Sequence, residues 1–161
     1  MDILVAVAIG FALIGIPLAW YGIHSYRKNG ARYARANASW VKTKATVLDA
    51  RLEERESTDS DGDSTTWYDP KLHYRFVVGE RAFEGTKTAL CTPLTFWLED
   101  LAQKWLGENA PGNGIDIWYD PEHPEDNAPL LDKPSLFSAS ITVFVGMGFL
   151  AAAAAMLSGI L

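Results

Sequence analysis

Hydrophobic residues are concentrated at the two ends of this chain, and polar residues occupy the middle. Residues 3–21 and 136–161 contain no charged side chain. At a rise of about 1.5 Å per residue, helices of these lengths are long enough to cross a hydrocarbon core of about 30 Å. The pattern therefore predicts two transmembrane helices, over residues 1–23 and 135–161, that hold one soluble domain by both of its ends.

The soluble domain, residues 40–132, is predicted to be mostly β-structure. Apolar and polar residues alternate over residues 40–52, which indicates a strand with one buried face. Residues 53–66 are charged, rich in serine and threonine and without periodicity, so we expect an exposed loop there. A second strand is predicted over residues 67–78, and its apolar face carries Leu72, Tyr74, Phe76 and Val78.

The remaining β-structure is indicated by turn residues. Gly79 and Glu80 predict a turn into a returning strand over residues 81–89, in which Gly85 marks a bulge or a close approach. A last short strand is predicted over residues 114–119. It is followed by Asp120-Pro121-Glu122-His123-Pro124, where we expect the Asp120 side chain to accept hydrogen bonds from the turn.

One amphipathic helix is predicted within the domain, over about residues 93–106. Thr92 is a suitable N-cap before Pro93, and Gly107 is a suitable left-handed C-cap. The helical spacing of its apolar residues predicts a stripe that packs on the core, with partner binding as the alternative; the stripe consists of Leu94, Trp97, Leu98, Leu101 and Trp105. The fold class is therefore a membrane protein of the α+β type, in which two transmembrane helices flank a small domain of about four strands and one amphipathic helix.

Small residues recur in both apolar segments. Ala6 and Gly10 are four residues apart, as are Gly148 and Ala152. Small faces allow helix backbones to approach closely in lipid, so we expect the helices to pack on each other or to mediate self-association. Residues 3–21 and 136–161 contain no Asp, Glu, Lys, Arg or His, which disfavours a transporter or channel because an ion path normally needs one of them.

Charge is distributed unevenly outside the two spans. A basic juxtamembrane arm is predicted over residues 24–39, whereas residues 47–133 contain 19 acidic and eight basic side chains. Positive charge next to a span favours the cytoplasmic face, so the soluble domain is expected there, in a bacterial inner membrane. The acidic domain makes nucleic-acid binding unlikely, and the lipid bilayer and a protein are the expected partners.

The acidic residues 59–63 resemble the start of a calcium loop. Asp59, Asp61 and Asp63 have the spacing with which such a loop begins, but Ser64 replaces the required glycine and Pro70 replaces the terminal glutamate. The pattern favours a solvated loop over a cation site.

Other reactive side chains lack the spacing that catalysis or metal binding requires. Cys91 has no activating base beside it and is interpreted as a small buried strand residue. A metal site shared by His73 and His123 requires adjacent strands, and His24 fits a membrane interface. Glu53 and Glu54 lie in a polar stretch without a pocket signal. We therefore predict no catalytic, cofactor-binding or metal-binding residues and no enzymatic activity.

Several short motifs resemble the bacterial domain-of-unknown-function 3592 family. The motifs are Trp40 followed by Ala45-Thr46-Val47, Tyr74-x-Phe76-x-Val78-Gly79 with Phe83-x-Gly85, and Ile115-x-Ile117-x-Tyr119-Asp120-Pro121-x-x-Pro124. The resemblance implies an apolar helix on each side of a small β-rich domain. It implies no established activity and no functional residues.

The leading functional hypothesis is a non-enzymatic interaction or scaffold module at the membrane face. An immunity-type protein that neutralises a membrane-targeting toxin is the alternative. A ligand-binding or hydrolytic domain is a third possibility, and it requires a concave pocket with convergent polar residues.

Overall fold

The computed structural model describes residues 3–158 and contains three helices and five strands among them. They are α1 (Ile3–Ser39), β1 (Val41–Thr58), β2 (Ser64–Val78), β3 (Arg81–Gly85), α2 (Glu99–Glu108), β4 (Gly114–Tyr119), β5 (Asn127–Ala128) and α3 (Leu136–Leu157). The chain divides into two compact units, one made of residues up to Ala31 and from Pro134, the other of Arg32–Lys133. The predicted ends of the apolar segments, residues 1–2 and 159–161, lie outside the described residues.

The Arg32–Lys133 unit is built on an antiparallel sheet with strand order β3-β2-β1-β4-β5. The predicted alternation on β2 is confirmed, because Leu72, Tyr74 and Phe76 are buried while Lys71 and Arg75, which point to the other face, are exposed. They form the main core with Ala45, Val47, Ile115 and Ile117. β5, with two residues, is a strand beyond the four that were expected.

A β-bulge explains an irregularity in the pattern of β1. The pairing with β2 shifts between Val47 and Asp49, so Leu48 is the extra residue. The buried residues of β1 therefore have odd numbers up to Val47. After the bulge, the half-buried residues Ala50 and Leu52 have even numbers. The backbone of Val47 also bonds Gly112 and Asn113, which lead into β4.

The prediction of a loop over residues 53–66 is wrong. β1 and β2 continue as a hairpin whose register runs from Leu52↔Pro70 to Thr58↔Ser64. On β1, every residue of this part from Glu53 to Thr58 is exposed, so no alternation of hydrophobicity is visible in its sequence. Instead it is held by the backbone ladder and by cross-strand charges, such as Arg55 with Asp69 at 3.1 Å and Lys71 with Glu53 at 3.4 Å.

The predicted boundaries of the domain helix are also wrong. α2 begins at Glu99 rather than near residue 93, and Leu98 at its N-cap makes no side-chain cap bond. It ends at Glu108, with Gly107 inside the helix and Asn109 at the C-cap. The strand predicted over residues 81–89 ends at Gly85. The predicted close approach at Gly85 is confirmed, because an added Cβ would lie 2.5 Å from the Tyr74 ring.

The last turns of α1, residues 32–39, belong to this same unit. Ala36 and Trp40 are buried against Leu90 and Ala128 in a second apolar cluster. Arg32 forms an ion pair with Asp126, and its guanidinium also donates a hydrogen bond to the Leu90 carbonyl. The segment predicted as a basic arm is thus helical, and part of its charge is directed into the domain.

The other unit consists of the apolar part of α1 and α3, packed antiparallel. By length and composition, both helices are able to cross a membrane. Packing of the two helices is confirmed, but the glycines in contact are Gly15, Gly22 and Gly146, and Gly10 and Gly148 have open space. A Cβ on Gly15 would lie 2.7 Å from the Gly146 carbonyl oxygen. α3 begins with a side-chain cap, in which Ser135 accepts from the Ser138 N–H.

Candidate functional site: a threonine-lined cleft and an exposed apolar surface

The outer edge of β2 is only partly covered by its neighbours. β3 pairs with β2 between Tyr74 and Val78, and an isolated antiparallel bridge joins Tyr68 to Phe96. Between these two contacts, residues 86–95 leave the sheet. Pro70 lies on this stretch of β2, where its missing N–H costs no ladder bond. The arrangement leaves a concave space beside β2.

Tertiary hydrogen bonds explain why residues 86–95 form neither a strand nor the predicted first turns of a helix. The Asp132 carboxylate accepts from the backbone N–H of Cys91 at 2.7 Å and of Thr92 at 2.9 Å. The Thr88 hydroxyl oxygen accepts from the Leu94 N–H at 3.0 Å. The Leu94 N–H is the donor that a Thr92 cap would accept from, and Thr88 binds it instead, so Thr92 does not act as a helix N-cap.

The resulting cavity, which we call the threonine cleft, has a volume of about 560 Å³. Four hydroxyl side chains line it, together with three cationic groups and one carboxylate; these are Thr86, Thr88, Thr92, Thr95, Arg55, Lys71, Lys87 and Asp69. A smaller cavity of about 380 Å³ also contains Lys71 and Thr86 and adds Asp49, Arg51 and His73. The lining of the cleft therefore carries an excess of positive charge in a negatively charged domain.

Ion pairs hold most of the charged groups in and beside the cleft. Arg55 donates to Asp69 at 3.1 Å and Thr95 donates to it at 2.8 Å. The hydrogen bond from Arg55 is the main reason that the pKa of Asp69 is lowered. Lys87 donates to Asp126 at 2.7 Å. Burial acts to raise the pKa of Asp126, but the bonds from Lys87 and Arg32 outweigh it and the pKa is lowered.

The described hydrogen bonds of the cleft do not join a nucleophile to a base. Within the described residues, no threonine hydroxyl of the cleft is bonded to a histidine. His73 instead contacts Glu84 at 2.8 Å, and Arg75 binds the same carboxylate at 2.6 Å. The hydrogen bond from Arg75 lowers the pKa of Glu84. Charged and hydroxyl groups of this kind suit an anionic or hydroxyl-rich ligand.

A second feature of the domain is an exposed apolar surface at the start of α2. Trp97, Leu98 and Leu101 are exposed by 69%, 44% and 45%. The prediction that the whole stripe packs on the core is therefore wrong. The residues that α2 buries are centred on Ala102, with Trp105 packed against the main core. We call Trp97, Leu98 and Leu101 the α2 apolar surface.

Acidic residues occur next to the α2 apolar surface in the sequence and on the neighbouring part of β1. Glu99 and Asp100 form the first turn of α2, and Glu54 lies on the neighbouring strand β1. Glu54 pairs with Tyr68, which is bridged to Phe96. Burial raises the pKa of Tyr68, and the charges of Glu99 and Glu54 add to the effect. On α2 itself, Lys104 is the one basic residue against three acidic ones.

The acidic residues 59–63 form the tip of the β1–β2 hairpin. One oxygen of Asp59 accepts from the backbone N–H of Asp61 and of Asp63, both at 3.0 Å. Gly62 adopts a φ of 89°, which a turn of this shape needs. Asp59 therefore has a structural role in the turn. In the part of the chain that the structure describes, no group of three or more His, Cys, Asp or Glu is arranged to hold a metal ion.

The histidines do not come together. His73 lies on β2 and His123 lies in the turn after β4, and β1 separates the two strands. In that turn, Asp120 accepts from the Glu122 N–H as predicted. His24 lies on α1, stacked on Trp20.

Cys91 is half-buried on the irregular segment 86–98 rather than on a strand. Burial raises the pKa of its thiol, with Asp132 adding to the effect, so the reactive thiolate is disfavoured.

Reasoning from the sequence did not identify the threonine cleft. Its one local signal is the density of threonines in residues 86–95, where four of ten residues are threonine. The remaining groups come from β1 and β2. Gly15, Gly22 and Gly146 were also missed, although Ala8, Gly15 and Gly22 repeat every seven residues, as do Ala139, Gly146 and Ala153.

Comparison with known proteins agrees with the resemblance in the sequence. The family described as "Domain of unknown function (DUF3592)" matches residues 43–130, which is more than half of the 161 residues and includes all five strands apart from the first residues of β1. No curated protein matches the chain significantly. On the extent of the family match, the chain belongs to the DUF3592 family.

Proposed function

We propose that this is an integral membrane protein whose soluble domain is a non-enzymatic binding module for another protein. The observation that carries the proposal is the α2 apolar surface. Trp97, Leu98 and Leu101 lie together in sequence and leave 44–69% of their surface in water. Clustered large apolar side chains that are rimmed by polar residues are typical of interaction sites, and tryptophan is enriched among the residues that dominate binding energy.

The charges around this surface indicate the chemistry of the partner. Glu99 and Asp100 lie between Leu98 and Leu101 in the sequence, and Glu54 pairs with Tyr68, which is bridged to Phe96. A basic segment with apolar residues at helical spacing is complementary to both properties, whereas an anionic membrane surface is not. We therefore propose a protein partner that presents a basic amphipathic helix. The same carboxylates argue against nucleic acid as a partner.

The membrane part of the proposal rests on α1 and α3. Both helices meet the length and composition of a membrane span, and they pack through glycines as membrane helices commonly do. Arg27 and Lys28 follow the apolar part of α1, which favours a cytoplasmic domain in a bacterial inner membrane. Self-association through the open faces of Gly10 and Gly148 stays a prediction.

Site-specific photo-crosslinking tests the protein-binding proposal. A photoreactive amino acid is placed at Leu101 in the full-length chain and, as a control, at Ser60 in the hairpin tip. We expect an adduct from position 101 alone, and the substitution Trp97→Ala should abolish it. The adduct should contain a partner with a basic amphipathic segment, and a synthetic peptide of that segment should bind the purified full-length protein.

Three outcomes would contradict the proposal. They are no adduct from position 101, the same adduct from position 60, and an adduct of the chain with itself, which would assign the surface to self-association. In the immunity-type alternative, the same surface would bind a membrane-targeting toxin. That alternative stays a prediction, and its test is rescue of cells that express such a toxin from a neighbouring gene.

The threonine cleft supports a second candidate function, binding of a small anionic ligand. Its lining combines three cationic groups and four hydroxyls with one carboxylate. Lys71 is the least constrained cation, because its partner Glu53 lies at 3.4 Å and both side chains are about half exposed. If the cleft binds anions, citrate or inorganic phosphate should raise the Tm of the wild type and not that of Lys71→Gln. Lys104→Gln, which removes a charge outside the cleft, is the control.

A further inference from the structure

A groove opens between α1 and α3 near the end of the apolar part of α1. Its volume is about 310 Å³, and Ile23, Val143 and Phe144 supply apolar walls. Three residues with polar ends also line it, Tyr26, Arg27 and Ser140. The groove thus combines an apolar wall with hydrogen-bond donors and one fixed positive charge.

The groove lies beside a point where the two helices are in close contact. A Cβ on Gly22 would lie 3.0 Å from Val143 Cγ2 and 3.2 Å from Thr142 Cβ. Because Gly22 has no side chain, α3 approaches the α1 backbone there, and the larger side chains of Ile23 and Phe144 project beside the contact and remain exposed. The apolar wall is therefore built into the helix packing.

Arg27 differs from most basic residues that follow the apolar part of α1. Arg32, Lys42 and Lys44 have carboxylate partners within the soluble domain, and Arg35 lies 3.9 Å from Asp120. Among residues 3–158, Arg27 makes no ion pair. A guanidinium presents several donors in a plane and binds phosphate with two parallel hydrogen bonds. Arg27 is therefore available to bind an anionic group of another molecule.

We propose that this groove binds an anionic phospholipid. The phosphate accepts hydrogen bonds from Arg27, the hydroxyls of Tyr26 and Ser140 serve the headgroup or glycerol oxygens, and one acyl chain lies against Ile23, Val143 and Phe144. Basic pockets between membrane helices bind lipid headgroups in this way. The inference rests on the membrane insertion proposed above, and it is independent of the protein-binding surface on α2.

Native mass spectrometry of the detergent-purified full-length protein tests this site. The protein is titrated with phosphatidylglycerol and, separately, with phosphatidylcholine of the same acyl chains. We expect the wild type to retain phosphatidylglycerol about fivefold more strongly, the effect of one basic residue near an anionic headgroup. Arg27→Gln should bring the two lipids to parity. Lys28→Gln removes the same charge from a neighbouring residue that does not line the groove, and it should keep the preference.

A second variant tests the apolar wall without changing the charge. Ser140→Phe places a ring in the groove and should lower the retention of both lipids, with Arg27 intact. Circular dichroism and size-exclusion profiles that match those of the wild type establish that each variant is folded. Absence of a preference in the wild type, equal losses in Arg27→Gln and Lys28→Gln, or unchanged retention in Ser140→Phe would each overturn the site.

Failure of the lipid site is distinguishable from failure of membrane insertion. Alkaline carbonate treatment of membranes that contain the full-length protein leaves an integral protein in the pellet. A protein that stays in the pellet but shows no lipid preference overturns the groove alone. A protein that is released overturns membrane insertion, and with it the lipid site.

Discussion

At the scale of single residues, the structure depends on one buried polar contact beside a glycine. The Tyr74 hydroxyl donates to Asn127 Oδ1 at 2.7 Å, and both side chains are almost fully buried. The Asn127 amide donates in turn to the carbonyls of Pro124 and Glu125. Burial raises the pKa of the Tyr74 hydroxyl, so it stays a donor. Gly85 lies against both side chains, which explains why this edge position of β3 has no side chain.

Gly85→Ala should therefore destabilise the domain. A Cβ at this position would lie 2.5 Å from the Tyr74 ring and would overlap Asn127, so one of them must move. We expect a loss of about 1–3 kcal/mol in the free energy of unfolding, the usual cost of overpacking a core. Chemical denaturation of the full-length protein in detergent, followed by tryptophan fluorescence, measures it.

Gly107→Ala is the matched control, because Gly107 lies inside α2 with open space around it. The same added methyl group should be neutral there or stabilise by about 0.5–1 kcal/mol. Equal effects of the two substitutions would contradict the role assigned to Gly85.

At the scale of elements, the end of α1 is held on the domain by charge as well as by apolar contacts. Asp126 accepts from Lys87 and forms an ion pair with Arg32, and its side chain is 23% exposed. Its pKa in the folded protein is lowered below 3.8, so the carboxylate contributes stability that is fully present well above that pH. The contribution is lost as the pH falls through the lower folded value.

Asp126→Asn should thus remove a pH-dependent part of the stability. Near pH 7 we expect the free energy of unfolding of the variant to be lower by about 1.5–3 kcal/mol, the range for hydrogen bonds to charged groups. The difference from the wild type should shrink below about pH 4 and vanish at the lowest pH, because both proteins then lack the charge. Tm measured from pH 7 to pH 2.5 gives both curves, and parallel curves would contradict the prediction.

The pairing of α1 with α3 is a second property of elements. Gly146 is buried, and a Cβ there would lie 2.7 Å from the backbone nitrogen of Ala19 and from the carbonyl oxygen of Gly15. Gly146→Leu should separate the helices and lower the Tm of the full-length protein in detergent by several degrees. Gly148→Leu, two residues away with open space, should leave the Tm unchanged. Equal Tm values of the two variants would show that the helix contact contributes nothing.

At the scale of the whole molecule, the proposed two-span topology predicts that the soluble domain and the end of α3 lie on opposite sides of the membrane. α3 contains 22 residues, or about 33 Å of helix, which is enough to cross the hydrocarbon core. Asp61 at the hairpin tip and Ser158 after α3 are both exposed, so each is a suitable position for a labelling probe.

Single-cysteine labelling tests this topology. In a Cys91→Ser background, Asp61→Cys should react with a membrane-impermeant maleimide only after the cells are opened. Ser158→Cys should react in intact cells, because it lies on the outer side. The reverse pattern would place the domain outside and leave the two spans intact. Reaction of both cysteines in intact cells would contradict a two-span topology.

Elements whose pattern comes from burial were predictable from the sequence, and the others were not. The core-facing residues of β2 alternate visibly because one face is buried and the other is solvated. The β1–β2 hairpin beyond Leu52 is solvated on both faces, so it produces no alternation and was mistaken for a loop. The seven-residue repeat of Ala8, Gly15 and Gly22 is present in the sequence, but the predicted helix contact was based on the four-residue spacing that includes Gly10.

The sequence by itself determined two apolar helices at the ends, a sheet between them and the turns at Gly79 and Asp120, because hydrophobic periodicity and turn chemistry are local properties. Only the tertiary structure decided where α2 begins, since the Leu94 N–H binds Thr88 and the backbone of Phe96 exchanges two hydrogen bonds with Tyr68 on β2. It also decided that Leu98 and Leu101 face solvent, because the sheet accepts only the side of α2 around Ala102. The threonine cleft and the groove beside Arg27 each combine residues from distant segments, and their chemistry exists only once the chain is folded.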